Sequence, residues 1–274
     1  MTNEQSRMAG RDTQSARMPV AFVSHGSPMV AIETGRYQEA LGRFGREHPA
    51  RAVVVISAHW ESGGTVGIAS AAKHHLVYDF GGFPQELYEL KYGAAGALEL
   101  ARRIDGMLRN AGVPTALEAD RGLDHGVWVP LRLIYPQAGV PIVELSIPGM
   151  RSPAELFRIG ELLSPLRTEG VLILGSGGIV HNLRRLDWRH RDGPAEAWAL
   201  DFDRWFAAKL EAGDIEGLFR YARTAPSADL AVPTNEHFHP VFVALGAAGK
   251  QGRIESIYEG FEYGTLSMRS FAVA

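Results

Sequence analysis

The stretch Arg51–Glu61, which reads RAVVVISAHWE, places the tightest constraint on the fold of this chain. Five consecutive apolar residues, Ala52–Ile56, are mostly β-branched, which is typical of a strand buried on both faces of a parallel sheet. His59 comes where this strand is expected to end. In open α/β folds, ligands bind at the carboxyl ends of the strands. The stretch therefore predicts an α/β fold and makes His59 a candidate functional residue.

Strand-like and helix-like patterns alternate along the rest of the chain. Short apolar runs predict strands at 19–24, 65–70, 115–119, 140–147 and 171–174, and two further runs at 253–258 and 265–273 favour an antiparallel pair. The clearest helix begins at Ser152, where Ser-Pro-Ala-Glu matches a capping box with proline at the first helical position. The alternation predicts a single α/β domain over residues 18–274, with a central, mostly parallel or mixed sheet flanked by helices.

Charge and composition give no support to nucleic acid or a membrane as a partner. The formal net charge of the 274 residues is −3, which gives no electrostatic reason to expect nucleic acid or an anionic membrane. No apolar run is long enough to span a bilayer. Residues 1–17 are polar and lack the apolar core of a secretory signal, so they are expected to form a flexible tail, and a cytoplasmic location is favoured.

The chain contains no cysteine, so any metal has to be held by histidine or by carboxylates. The chain has ten histidines, and five of them occupy related positions. Three follow predicted strands, one lies in a glycine-flanked turn and one opens a helix: His25, His59 and His181, then His125, then His237. His48 and His190, by contrast, are expected at the surface.

A group of histidines at one edge of a sheet has a direct chemical interpretation. Three neutral imidazoles, or two with a carboxylate, can hold a metal and leave positions open for substrate. Further histidines nearby can move protons near neutral pH. Three carboxylates, Glu61, Asp124 and Glu236, are candidates to orient the imidazoles from behind, although Asp124 is equally well explained as a helix cap.

Other catalytic motifs are absent from the sequence. The segment Gly175-Ser176-Gly177-Gly178 matches neither the nucleophile elbow nor the dinucleotide and P-loop fingerprints. It is expected to be a tight turn that lets the backbone approach a ligand or the metal site.

Six motifs, in this order, resemble the class III extradiol ring-cleaving dioxygenases, in particular their DOPA-type branch. They are SHGSP at 24–28, SAHW at 57–60, DFGGFP at 79–84, DHGVW at 124–128, SGGIVHNL at 176–183 and TNEHFHP at 234–240. The resemblance extends over Pro19–Phe271. It implies an α/β sandwich with a mixed sheet, and a ferrous ion that binds a catechol through both oxygens before O2. The ring then opens next to its hydroxyls.

The resemblance also implies a role for particular residues. His25 and His59 correspond to metal ligands, and His237 corresponds to the third in this branch, although the broader class uses a glutamate and Glu236 is adjacent. His181 corresponds to a residue that is either a fourth ligand in a zinc-loaded form or an acid/base. His125 corresponds to the second acid/base histidine. Two aromatic residues, Phe80 and Phe83, are expected to wall the substrate pocket.

Two alternatives to an Fe(II) dioxygenase stay open at this point. The same histidines loaded with Zn(II) could activate water for hydrolysis, or the chain could be a non-catalytic member of the family, which the presence of His125 and His181 disfavours. The expected partners are a small catechol and O2, with a monomer or a small homo-oligomer as the assembly. The pair His74-His75 is expected near the pocket mouth, and His239 is expected to be exposed at a helix start.

Overall fold

The structure is a computed structural model, which describes residues 17–249 and 252–274. Its strands are β1 (Val20–Ser24), β2 (Ala52–Ser62), β3 (Val66–Ala69), β4 (Thr115–Glu118), β5 (Ile142–Pro148), β6 (Val171–Gly177), β7 (Ile254–Tyr258), β8 (Phe261–Glu262), β9 (Leu266–Ser267) and β10 (Ser270–Val273). Except for Arg17, the predicted flexible tail at 1–17 lies outside the described residues.

The helices cover both faces of the sheet. They are α1 (Arg36–Glu47), α2 (Gln85–Glu89), α3 (Leu98–Asn110), α4 (His125–Ile134), α5 (Pro153–Leu163), α6 (Ala197–Glu211), α7 (Ile215–Phe219), α8 (Tyr221–Thr224), α9 (Ala228–Ala231) and α10 (Pro240–Ala248). The capping box predicted at Ser152 is confirmed, because its side chain accepts the N–H of Glu155 while the Glu155 carboxylate accepts the N–H of Ser152. None of the described helices is long and apolar enough to cross a bilayer. The cytoplasmic location stays a prediction.

Eight strands form one mixed sheet in the order β4-β3-β5-β2-β6-β1-β10-β7. The centre is parallel, with β2 between β5 and β6, and β6 next to β1. The far edge is antiparallel, since β10 pairs with both β1 and β7. The predicted α/β fold with a mixed sheet is therefore confirmed, including the antiparallel pair at the end of the chain. The single run predicted at 265–273 is interrupted at Met268 and Arg269, where the Arg269 side chain pairs with Asp203.

The central strand β2 is buried on both faces, as its sequence predicts. Val54 and Ile56 pack into the apolar cluster on one side of the sheet, with α5, α6 and α10. Val53 and Val55 pack into the cluster on the other side, with α1 and α4. Each such side chain contributes about 1.5–3 kcal/mol when it is fully buried. This packing on both faces fixes the strand that carries His59.

Two details of the strands correct the sequence predictions. His59 lies within β2 rather than after it, because β2 continues to Ser62 past an irregularity in its pairing with β5 between Ile56 and Glu61. Gly175–Gly177 belongs to β6 rather than to a tight turn. The glycines do permit a close backbone approach, as expected, but the approaching backbone belongs to the chain itself. A Cβ on Gly177 would lie 2.0 Å from the carbonyl oxygen of His237.

Helix α10 is buried along its whole length and sets the position of the segment before it. Glycines allow it to lie directly against α5: a Cβ on Gly160 would be 2.0 Å from the oxygen of Val243, and one on Gly246 would be 1.9 Å from the oxygen of Phe157. Backbones this close have little freedom to shift, since protein interiors are close-packed. The residues 235–239, which lead into α10, are held against the end of β6 as a result.

Candidate active site

Five histidines meet in one cavity of about 600 Å³ at the carboxyl ends of β1, β2 and β6. They are the five that the sequence singles out: His25, His59, His125, His181 and His237. His25 follows β1 directly, His125 is the first residue of α4, and His237 comes three residues before α10. The placement follows the rule for open α/β sheets, in which the strand ends border the ligand crevice.

His25 and His59 direct their Nε2 atoms at one another, 3.1 Å apart. The opposite nitrogen of His25, Nδ1, is 3.1 Å from Oγ of Ser176, whose hydroxyl donates in turn to the carbonyl oxygen of Gly126. The Ser176 oxygen therefore accepts the Nδ1 proton of His25, which leaves a lone pair on Nε2 facing the cavity. Two imidazole nitrogens that converge at this distance could hold a metal ion together with a third ligand.

Asp79 links His125 to His59. One carboxylate oxygen, Oδ1, accepts both the main-chain N–H of His125 at 3.0 Å and its Nδ1 proton at 2.9 Å. The other, Oδ2, is 3.4 Å from Nδ1 of His59. Burial raises the pKa of Asp79, but the hydrogen bonds and charge of His125 outweigh it and bring the pKa to about 2. Asp79 is thus an anion that fixes His125 with Nε2 toward the cavity.

The third side of the cavity is formed by His237 and His181, whose rings stack 3.5 Å apart at an angle of 7°. Nδ1 of His237 donates to Oε1 of Glu236 over 3.0 Å, so the carboxylate orients the ring from behind. The Nε2 atom of His237 is buried and has no hydrogen-bond partner among the described residues. A buried nitrogen without a partner is costly, and a metal ion would satisfy it.

Four of the imidazoles have a lowered pKa, which favours their neutral forms. Burial, followed by the charge of His59, lowers the pKa of His25 well below its ordinary value, and burial with the charge of His181 does the same for His237. Burial lowers the pKa of His59 and of His181 to about 4, with His125 adding to the effect at His59 and His59 at His181. Neutral imidazole is the form that binds a metal.

The donor set fits a non-haem metal, and the geometry offers two choices for a third nitrogen. One nitrogen from each of His25, His59 and His125 lies within 4.8 Å of the others. His237, the third ligand that the resemblance implies, has its ring centroid 5.3 Å from that of His25 and 5.0 Å from that of His59. Both rings have a carboxylate at Nδ1, Asp79 for His125 and Glu236 for His237, so only Nε2 distinguishes them. Nε2 of His237 is buried without a partner among the described residues, which favours His237.

Phe80 and Phe83 line the same cavity, where the sequence places them. Their rings meet edge to face with centroids 5.5 Å apart, and Phe80 also meets the ring of His125 edge to face at 5.5 Å. Edge-to-face contacts of this kind stabilise a rigid aromatic wall. Leu183, Leu186 and Trp188 contribute apolar surface on another side.

The three carboxylates proposed to orient imidazoles differ in the hydrogen bonds that they make. Glu236 has that role, through His237. Glu61 makes no hydrogen bond with an imidazole among the described residues. Asp124 precedes α4 but its side chain does not cap the helix. Instead it accepts hydrogen bonds from Oγ of Ser57 and from Arg121, both at 2.7 Å, and so supports the backbone beside His59.

Other histidines lie away from the cavity. His74 does not reach the pocket mouth: it is buried, with Nε2 3.1 Å from the oxygen of Ile142, and neither His74 nor His75 lines the cavity. The expected exposure of His239 is wrong, because only 4% of it is exposed. Packing of the segment before α10 buries it, and burial lowers its pKa to about 4. His190 is exposed as predicted, and pairs with Asp187.

Comparison with known proteins settles the family. The family model described as the catalytic LigB subunit of aromatic ring-opening dioxygenase matches residues 19–274. The chain belongs to this family. This dioxygenase is 39% identical over 256 residues to a Beta vulgaris protein named 4,5-DOPA dioxygenase extradiol. The match covers 91% of this chain and 94% of the relative.

Two further matches place this dioxygenase in the same branch. An Escherichia coli (strain K12) protein, also named 4,5-DOPA dioxygenase extradiol, is 39% identical over 264 residues, with 94% of this chain and 96% of the relative covered. The crystal structure of the uncharacterized protein JW3007 from Escherichia coli K12 superposes with a TM-score of 0.81 at 34% identity, covering 94% of this chain and 100% of that one. The predicted DOPA-type branch and extradiol ring-opening activity are confirmed, and the zinc hydrolase is not favoured.

Proposed function

We propose that this dioxygenase uses Fe(II), held by His25, His59 and His237, to open the ring of a DOPA-like catechol next to its hydroxyls. The observation that carries the proposal is the convergence of three fixed imidazoles. Nε2 of His25 and Nε2 of His59 are 3.1 Å apart, and Nε2 of His237 is buried in the same cavity without a partner among the described residues. The relatives named for 4,5-DOPA support the substrate class.

His25, His59 and His237 would hold the iron, which would supply binding positions for the catechol and O2 together with redox chemistry. Behind each ligand the chain provides an orienting contact: Ser176 for His25, Asp79 for His59, and Glu236 for His237. These contacts fix the ring orientations and raise the basicity of the ligand nitrogens.

His125 is the proposed base that takes a proton from a catechol hydroxyl. Its Nδ1 proton is held by the Asp79 carboxylate at 2.9 Å, so Nε2 is the nitrogen free to accept a proton inside the cavity. The imidazolium that forms is then stabilised by the same carboxylate. Asp79 therefore positions His125 and stabilises its charged state.

His181 is the proposed second proton carrier. Its ring stacks on that of His237, and burial lowers its pKa to about 4, which keeps it neutral near pH 7. A neutral imidazole has one donor and one acceptor nitrogen, so it can either give or take a proton as the ring opens. Phe80 and Phe83 hold the catechol ring between the base and the apolar side of the cavity.

Metal reconstitution tests the proposal. Metal-free protein loaded anaerobically with Fe(II) should take up O2 when a catechol such as L-DOPA is added and should yield a yellow ring-opened product, whereas Zn(II)-loaded protein should take up none. No uptake with Fe(II) across a panel of catechols would refute the iron and substrate assignments.

Histidine variants separate the ligands from the proton carriers. His59→Ala and His237→Ala should lose metal, measured as bound ion per chain. His125→Ala should keep the metal and turn over slowly. If His125→Ala loses the ion while His237→Ala keeps it, the third ligand is His125 and the proposed base is wrong.

A further inference from the structure

A second large cavity, of about 580 Å³, borders the segment 235–239 that carries His237. Asn235 and His239 line this second cavity, whereas His237 lies between them in sequence and lines the first. No residue lines both cavities. The second cavity is therefore separate from the site of ring opening, although the two share a short stretch of chain.

The second cavity is rich in positive charge. Three arginines line it, Arg151, Arg220 and Arg223, against a single carboxylate, Glu155. Glu155 is already engaged, because it accepts from Arg151 over 3.2 Å and from the main-chain N–H of Ser152 over 2.8 Å. Within residues 17–249 and 252–274, Arg220 and Arg223 form no ion pair. Their guanidinium groups have donors available for an anion.

Two polar side chains at the same cavity also have nitrogens without a hydrogen-bond partner among the described residues. His239 is 4% exposed, and its ring makes no hydrogen bond to any described residue. Nε of Arg151 is buried and is likewise without a partner in the described part of the chain. Buried polar atoms in proteins are nearly always hydrogen-bonded, so a bound polar molecule would satisfy Nε of Arg151, and the His239 ring offers it a further polar contact.

The wall beside the arginines is apolar and aromatic. Phe219 and Tyr221 both line the cavity, and the Tyr221 hydroxyl donates to Oδ1 of Asn235 over 2.7 Å, which keeps its ring in place. A cavity that combines guanidinium groups with an aromatic wall suits a ligand with an anionic head and a carbon body.

We propose that this cavity binds a small organic anion, whose carboxylate or phosphate group pairs with Arg220 and Arg223 and whose carbon body lies against Phe219. Guanidinium groups bind both anions through paired, charge-assisted hydrogen bonds. The ligand also gives the His239 ring a polar neighbour. The site does not depend on the metal or on the ring-opening chemistry.

Calorimetric titration of the metal-loaded protein with benzoate and with phenyl phosphate tests the proposal, with benzyl alcohol as the neutral control. At least one of the two anions should bind and benzyl alcohol should not, and the anion that binds identifies the head group. The double substitution Arg220→Gln/Arg223→Gln should weaken binding by about tenfold or more, because it removes charged donors. Arg204→Gln, an exposed arginine outside the cavity, should leave binding unchanged.

A third variant distinguishes the two cavities. His59→Ala, which removes a proposed metal ligand, should retain anion binding, because the second cavity shares no lining residue with the first. The proposal is overturned if neither anion binds, if the double variant binds as tightly as the unmodified protein, or if binding is lost in His59→Ala. The last result would place the anion on the metal.

Discussion

A single oxygen of Asp79 accepts two hydrogen bonds from His125, one from its main-chain N–H at 3.0 Å and one from Nδ1 at 2.9 Å. The backbone and the side chain of the proposed base are thereby fixed by one atom. The same carboxylate approaches Nδ1 of His59 through its other oxygen at 3.4 Å. Asp79 thus joins the proposed base, His125, to a proposed metal ligand, His59.

Asp79→Asn should lower kcat by about a hundredfold, because an amide cannot stabilise the imidazolium of His125 as a carboxylate does, and general acid–base catalysis contributes factors of this order. Metal affinity should fall as well, because Asp79 is also the orienting contact of His59, so kcat is compared at saturating metal. Steady-state kinetics and metal analysis measure the two effects. Asp120→Asn, an exposed neighbour in the same region, is the matched control. Unchanged kcat in Asp79→Asn would show that His125 needs no carboxylate.

Glu236→Gln should weaken metal binding by about 10–100-fold, the usual cost of losing an orienting partner of a ligating histidine. The substitution replaces the charged acceptor that holds Nδ1 of His237 at 3.0 Å. Competition with a chelator measures the affinity. Glu211→Gln, at the exposed end of α6, should behave like the unmodified protein. An unaltered affinity in Glu236→Gln would argue against His237 as a ligand.

Gly177→Ala should displace the main chain of His237, because the added Cβ would lie 2.0 Å from its carbonyl oxygen. We expect metal affinity to fall by about tenfold or more, together with a loss of stability typical of overpacking, about 1–3 kcal/mol. Gly106→Ala, in α3 with open space around the new methyl group, should preserve metal binding and should not destabilise the helix. Chelator competition and urea unfolding measure both properties.

Glu144 gives a prediction for the pH dependence of stability. It is fully buried, and burial together with the charge of Asp124 raises its pKa well above the ordinary value near 4.5, in spite of a hydrogen bond from Arg121 at 3.0 Å. A raised folded-state pKa means that the unfolded chain releases its proton first. The stability from this group is therefore present below pH 4.5 and is lost as the pH rises toward the folded-state pKa.

Glu144→Gln removes this dependence, because glutamine does not titrate. Urea unfolding between pH 5 and pH 8 should show the free energy of unfolding falling more steeply with pH in the unmodified protein, by at most about 1.4 kcal/mol per pH unit. Glu118→Gln, on the exposed face of the edge strand β4, is the control. Parallel curves for Glu144→Gln and the unmodified protein would mean that Glu144 is charged in the fold.

The sequence predicts the sheet and the meeting of the five histidines because both follow from strong local signals. The β-branched run in β2 requires burial on both faces, and parallel strands bring their carboxyl ends to one edge, so residues far apart in sequence meet there. His25, His59 and His181 were found by this rule. The family is indicated by the order of the six motifs, because hydrophobic periodicity alone carries no information about it.

Other features depend on tertiary contacts that leave no local pattern. Asp79 lies in an irregular segment, and its role appears only when that segment folds over the start of α4; its place in the DFGGFP motif was the one available signal. Gly177 reads as a turn residue, whereas the fold uses it to admit the backbone of His237 beside a strand. His239 looks exposed next to a proline but is buried by the packing before α10.

The proposed ligands come from the residue after the first strand, from the central strand and from the segment before the last long helix. A bound ion would therefore connect His25 to His237, which are far apart in sequence. The fold brings them together, so the entropic cost of closing this loop is met before the ion binds. No short fragment of the chain contains the three imidazoles. We therefore expect the ion to bind after the sheet has assembled.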